Sequence, residues 1–176
     1  MRAVAVAGAN IALVKYWGKR DDGPLNLPAV GSLSITLQAL WARTAVAFDE
    51  APGPDEFVLN GRRDERQLAR VRDTLDRLRH LAREHGIRAG AATVESENNF
   101  PTGSGLASSA AGFAALVAGA AAALNLTLPP ARLSALARQG SGSAARSVFG
   151  GFVEMARGEL PDGSDAVAAP LLDAGQ

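Results

Sequence analysis

The chain has 176 residues, with 18 lysines and arginines against 18 aspartates and glutamates, two histidines and no cysteine. That length suits one domain with a sizeable core, and the balanced charge gives no general pull toward nucleic acid or an anionic membrane. The lack of cysteine excludes disulfides and thiolate metal sites. Arg2 is not followed by an apolar core and cleavage site, so the start does not read as a signal peptide, and the cytoplasm is the expected compartment.

Residues 2–8 alternate alanine and valine and predict a strand, followed by a loop region over Asn10–Asp22. Segments 32–40 and 42–49 alternate and carry Leu, Ile, Val and Thr, predicting two further strands. Pro52-Gly53-Pro54 marks a turn, and Phe57-Val58-Leu59 a short strand ending at Asn60-Gly61, a hairpin signal. Leu68, Val71, Leu75, Leu78 and Ala82 recur at helical spacing over 64–85, with Gly86 as the stop. The arginines on this helix (Arg66, Arg70, Arg72, Arg77, Arg79, Arg83) alternate with acids and no aromatics, which predicts a solvated face with local ion pairs. A strand is expected over 91–97. A helix then runs from the Gly/Ser turn to about 124, a second from Pro130 to Arg138, a Gly/Ser loop covers 140–146, and a last strand lies within 148–155. The apolar run 105–124 is mostly Ala and Gly and carries Ser108 and Ser109, so it reads as a buried helix rather than a membrane span. The tail after Gly158 shows no strong pattern. Irregular alternation of strands and helices predicts an α+β fold.

Three segments can carry chemistry. Pro101-Thr102-Gly103-Ser104-Gly105-Leu106-Ala107-Ser108-Ser109 opens a helix. Bare N–H groups at a helix start and the helix dipole favour an anion, and Gly103 and Gly105 let backbone approach one closely. Alone, such a turn reads first as an ordinary helix start packed through small residues. It lacks the lysine of a Walker-type phosphate loop, and its glycine spacing is not that of a dinucleotide fingerprint. The second segment, Asn10–Arg20, gathers Lys15, Lys19, Arg20, Tyr16 and Trp17, suited to phosphate or equally to a surface loop. In the third, Ser141-Gly142-Ser143 could form an anion nest and Arg146 a bidentate pair with a carboxylate or phosphate; a flexible loop or helix cap is the alternative. His80 and His85 fall on different helix faces, and no metal-ligand spacing or nucleophile elbow is present.

Taken together, these segments resemble the N-terminal half of the mevalonate diphosphate decarboxylases, members of the GHMP small-molecule kinase superfamily. The matching runs, in order, are Asn10–Asp21 with Asn26-Leu27-Pro28, Ser32–Leu37, Asn98–Thr102 with Gly105–Phe113, Arg138–Arg146, and Phe149–Glu154. Val30-Gly31, Gly103-Ser104 and Ala145 depart from the usual pattern without removing a charge. The resemblance implies a two-layer domain over residues 1–170 of the ribosomal protein S5 domain 2-like type, a mixed sheet with helices on one face, then a tail over 171–176. It implies ATP-dependent decarboxylation of mevalonate 5-diphosphate, with Mg2+ held mainly by ATP and by Ser108 or Ser109. Arg146, Lys19 and Ser108 would be catalytic. Asn10, Lys15, Tyr16, Lys19, Ser141, Gly142, Ser143 and Arg146 would bind the substrate, and residues 101–109 the ATP phosphates. A phosphomevalonate decarboxylase, a mevalonate 3-kinase and a non-catalytic phosphate-binding module are the alternatives. No nucleic acid or membrane partner is expected, and a homodimer is expected only by analogy.

The resemblance also places the family's acid-base aspartate in a C-terminal domain without a counterpart here; Asp173-Ala174-Gly175 echoes that stretch by chance. The chain by itself is therefore expected to show little decarboxylase activity. Turnover of mevalonate 5-diphosphate by the purified chain at about 1 per second or faster would contradict this.

Overall fold

The computed structural model describes residues 1–15, 18–20, 23–102 and 105–172. Tyr16, Trp17, Gly103, Ser104 and the Asp173–Gly175 stretch lie outside the described residues.

Among the described residues, a seven-stranded sheet is organised around one long strand, β2 (Ser32–Phe48). Strand β1 (Arg2–Val14) pairs antiparallel along one edge of β2, from Arg2 opposite Ala47 to Val14 opposite Leu33. The other edge of β2 is shared. Its C-terminal half pairs β5 (Ala92–Asn98), and Ser32–Ile35 pair β6 (Phe152–Met155). Beyond β5 lie β3 (Glu56–Leu59), parallel to it, and the two-residue β4 (Arg62–Arg63); beyond β6 lies β7 (Ala168–Leu172). The sheet is thus mixed, as the resemblance implied.

Four differences from the sequence-based elements have physical causes. Residues 32–48 form one strand, because the break expected at Trp41 is a bulge. The register with β1 jumps from Gly8 opposite Trp41 to Ala9 opposite Leu37, leaving Gln38, Ala39 and Leu40 unmatched. Asn99 pins the bulge by donating to Ala39 O and accepting from Trp41 N, 2.8 and 2.7 Å. Second, β1 continues through Asn10 to Val14, residues read as loop, because β2 offers a ladder past the bulge. Third, residues read as a Gly/Ser loop are a 3-10 helix, Gly142–Val148, so the last predicted strand begins only at Phe152. Fourth, β7 was not predicted. It contains Pro170, which lacks a ladder donor, and it sits at a sheet edge where that is tolerated.

Helices α1 (Glu65–Glu84), α2 (Ser108–Ala123) and α3 (Pro130–Gly140) cover one face. On α1 the predicted stripe Leu68, Val71, Leu75, Leu78 and Ala82 is buried, and Asp64 caps the helix by accepting from Arg66 N and Gln67 N. Two arginines depart from the solvated face. Arg79 is mostly buried against Asp55 and donates to Gly90 O. Burial pulls its pKa down, but hydrogen bonds to Asp55 and Asp76 outweigh that and hold it above the ordinary value. The other is Arg70, described below. Helix α2 buries eleven of its sixteen residues, which explains its alanine and glycine all round. A Cβ on Gly119 would lie 3.4 Å from Thr44 O, so the helix rests almost directly on the β2 backbone. Among the described residues no helix is long and apolar enough to cross a membrane.

Leu78→Ala, at a fully buried position, is expected to cost about 2–5 kcal/mol, whereas Asp64→Ala should cost about 1 kcal/mol. Urea unfolding checks both; equal losses would contradict the assignment of Leu78 to the core.

Candidate functional site

Arg146 is 2 % exposed, on the 3-10 helix. A buried guanidinium is tolerated only when its donors are met. Here Nε donates to Ser34 Oγ at 3.0 Å, Nη1 to Ser32 Oγ, and Nη2 to Asn10 Oδ1 at 3.2 Å. Ser32 and Ser34 point to the same side of β2, as alternation requires, and Asn10 comes from the part of β1 past the bulge. The Asn10 amide also donates to Ser143 O at 2.9 Å and Ser147 Oγ at 2.7 Å, fastening the 3-10 helix to β1. Ser134, fully buried on α3, donates to Ala145 O and accepts from Ala168 N. The acceptors named for Arg146 are neutral. They set the plane of its guanidinium.

Arg146 opens on a cleft of about 470 Å³ lined by Asn10, Ile11, Ala12, Lys15, Gly105, Ala107, Ser141, Gly142, Ser143 and itself. Seven of the predicted site residues besides Arg146 (Asn10, Lys15, Gly105, Ala107, Ser141, Gly142, Ser143) therefore meet in one place. Lys19 does not line it; it forms an isolated bridge with Pro28.

The wall contributed by residues 101–109 has an uncommon geometry. Ala107, the residue before α2, is left-handed (φ 56°, ψ 39°), a conformation costing an L-residue about 1–2 kcal/mol, and no side chain caps the helix. Backbone strain of this kind clusters at ligand-binding turns. The first turn of α2 also lacks an acidic residue, so its dipole meets the cleft unneutralised by its own side chains. Thr102, upstream, is held by Asn60 and Asn98, whose amides donate to its Oγ1 at 3.1 and 3.3 Å. The Asn60-Gly61 hairpin thus also supports the turn, a role its turn signal did not reveal. Pro101 and Leu106 line neither cleft.

On the far side of this turn lies a second, narrow cleft with a different lining. Phe57, Leu59, Val71, Val94, Phe113 and Leu116 make it apolar, while Ser96, Asn98 and Thr102 with Ser108 and Ser109 give it a polar edge. The two clefts meet where Ser109 Oγ lies 3.5 Å from Ser141 Oγ. Behind that contact, the Phe113 ring fills the space beside Gly140, where a Cβ would come 2.3 Å from Phe113 Cδ1. Arg70 closes the joint. Its guanidinium stacks 4.7 Å over the Phe113 ring, and its Nη2 donates to Gly140 O at 2.7 Å. Ser32, Ser34 and Arg70 are the site residues to which sequence reasoning assigned no role.

Residues 7–168 match the diphosphomevalonate decarboxylase-like N-terminal domain family. The diphosphomevalonate decarboxylase of Ganoderma lucidum is 45 % identical over 181 residues, covering 97 % of this chain and 45 % of that protein. The solved mevalonate diphosphate decarboxylase from Enterococcus faecalis superposes with a TM-score of 0.86 at 42 % identity, covering 98 % of this chain and 52 % of that one. A structure of MDDEF in complex with MVAPP, AMPPCP and magnesium is 41 % identical, with a TM-score of 0.85, over 98 % of this chain and 51 % of its own. The chain spans about half the length of the relatives it matches.

Gly140→Ala places a methyl inside the Phe113 ring contact and is expected to destabilise the fold by about 1–3 kcal/mol. Denaturant unfolding measures this; a neutral or stabilising effect would contradict the close joint between the clefts.

Proposed function

Because the chain belongs to the diphosphomevalonate decarboxylase-like family, we propose that its two clefts bind mevalonate 5-diphosphate and ATP for the ATP-dependent decarboxylation of the former. The observation that carries this reading is the buried Arg146, oriented by Ser32, Ser34 and Asn10, lining one cleft together with Lys15, Ser141, Gly142 and Ser143. In that reaction the tertiary hydroxyl oxygen takes the γ-phosphoryl group from ATP, and ADP leaves. Phosphate then departs as the adjacent C–CO2 bond breaks. Its electron pair forms the new double bond, giving isopentenyl diphosphate, phosphate and carbon dioxide.

The residues suit these tasks. Arg146 holds the substrate carboxylate, so that the breaking bond stays aligned with the departing phosphate. Ser141, Gly142 and Ser143 present hydroxyls and N–H groups to the diphosphate, with Lys15 adding charge and Lys19 and Tyr16 contributing from the neighbouring loop. Residues 101–109 receive the ATP phosphates at the start of α2. Ser108 stands at the point of transfer.

Among the described residues no group of three or more His, Cys, Asp or Glu side chains could hold a metal. The Ser108 and Ser109 hydroxyls, oxygen donors at the edge of the apolar cleft, suit a magnesium ion carried by the nucleotide phosphates. When bound, the ion neutralises phosphate charge. The protein's own part is to position both substrates and keep water from the reacting carbons.

Calorimetric titration tests the assignment. Arg146→Lys is expected to weaken mevalonate 5-diphosphate binding about 100-fold, roughly 2.7 kcal/mol, while AMPPCP affinity changes less than about 3-fold. Equal weakening of both ligands, or of neither, would contradict the carboxylate role.

A further inference from the structure

A second buried arginine holds the loop that carries Lys19. Arg138, on α3, is fully buried. Its guanidinium donates to backbone carbonyls from two separate loops: Nε to Leu25 O at 3.0 Å, and Nη1 to Gly163 O at 2.8 Å and to Ala166 O. The contact is shaped for it. Gly163 is left-handed (φ +65°), and a Cβ there would come 2.6 Å from Arg138 Nη2 and 2.3 Å from Leu27 Cδ2. The loop returns the grip. Asn26, itself left-handed (φ 50°), donates its amide to Gln139 O at 2.7 Å and Arg138 O at 3.2 Å, carbonyls at the end of α3. An apolar side chain could fill this space at lower desolvation cost. A guanidinium here does what packing alone cannot: it joins carbonyls of two loops to one helix.

The grip reaches the site in two steps. Residues 25–27 are held on α3, and they pair with the strand-like stretch 18–20. Arg20 N donates to Leu27 O at 2.9 Å, Ala29 N to Gly18 O at 3.3 Å, and Lys19 bridges Pro28. Arg20 Nη2 also reaches Leu160 O, in the loop that receives Arg138. The same helix runs into Ser141 and the 3-10 helix of Arg146. Lys19 is therefore located relative to Arg146 through α3 rather than through its own loop alone.

We propose that Arg138 is a positioning residue for the anionic substrate, fixing the Lys19 backbone relative to α3 by holding the Leu25–Leu27 backbone on that helix. This rests on the ligand reading given above. The experiment compares wild type, Arg138→Met, Lys19→Met and the double variant by calorimetry with mevalonate 5-diphosphate and, separately, AMPPCP. Amide hydrogen exchange is followed at Arg20 and Ala29. Expected are faster exchange at both amides in Arg138→Met, at least about tenfold weaker mevalonate 5-diphosphate binding, and AMPPCP affinity within about twofold. The double variant should bind no more weakly than Lys19→Met, since residues acting through one another are not additive. Unchanged affinity in a folded Arg138→Met, or multiplicative losses in the double variant, would overturn the proposal. If Arg138→Met does not fold, Asn26→Ala releases the same loop while leaving the guanidinium in place, and the same outcomes decide. If wild type binds no mevalonate 5-diphosphate, the ligand reading fails, whereas unchanged exchange at Arg20 and Ala29 overturns the role of Arg138 itself.

Discussion

The site depends on keeping one positive charge out of water and still usable. Arg146 is buried by the 3-10 helix, and burial without hydrogen bonds would cost several kcal/mol. Ser32, Ser34 and Asn10 meet that cost, and each explains a feature of the fold. The two serines require the N-terminal half of β2 to remain in the sheet. Asn10 requires β1 to continue beyond the bulge and to grip Ser143 and Ser147. Ser134 then locks the 3-10 helix between α3 and β7. The lower half of the sheet can be seen as the frame of a single guanidinium.

The other wall works by the opposite means. Where Arg146 is over-determined by side chains, the start of α2 has no side-chain cap and follows a strained Ala107. A helix start left in this state leaves its N–H groups and dipole for a ligand. The two walls differ in chemistry: side chains caging a guanidinium on one side, a helix start without a side-chain cap on the other, with an apolar slot beyond. Ser109 and Ser141 are where the two meet, and Phe113, Gly140 and Arg70 keep that meeting point from spreading.

Much of this was legible in the sequence, and the exceptions share a cause. Helix α1 announced itself because its buried stripe has the helical period, and α2 because residues small on every side belong inside. The Asn60-Gly61 turn and the clustering of Lys15, Ser141–Ser143 and Arg146 were also readable. What local patterns missed was decided by tertiary contacts. Trp41 looked like a break between two strands, yet Asn99 pins a bulge at Gln38–Leu40 in one continuous strand. Gly142 and Ser143 looked like loop residues, yet Asn10 and Ser134 hold them in a helical turn. Arg70 and Arg79 looked like solvated helix arginines, and nothing in the spacing says that one will cover Phe113 and the other pair with Asp55. A signal for the Arg146 cage was present: Ser32, Ser34 and Thr36 place three hydroxyls on one side of an otherwise apolar strand, and a polar row facing inward calls for a buried polar partner.

The central claim is that one chain presents two chemically distinct walls that share the Ser109–Ser141 contact. Nuclear magnetic resonance of the isotope-labelled chain tests it most directly, with mevalonate 5-diphosphate and AMPPCP added separately. The account predicts that mevalonate 5-diphosphate shifts the amides of residues 10–15 and 141–146, and that AMPPCP shifts those of 105–116 with Val94 and Ser96. Both ligands should move Ser109 and Ser141. One common set of shifts for both ligands, or shifts confined to residues outside these segments, would contradict it.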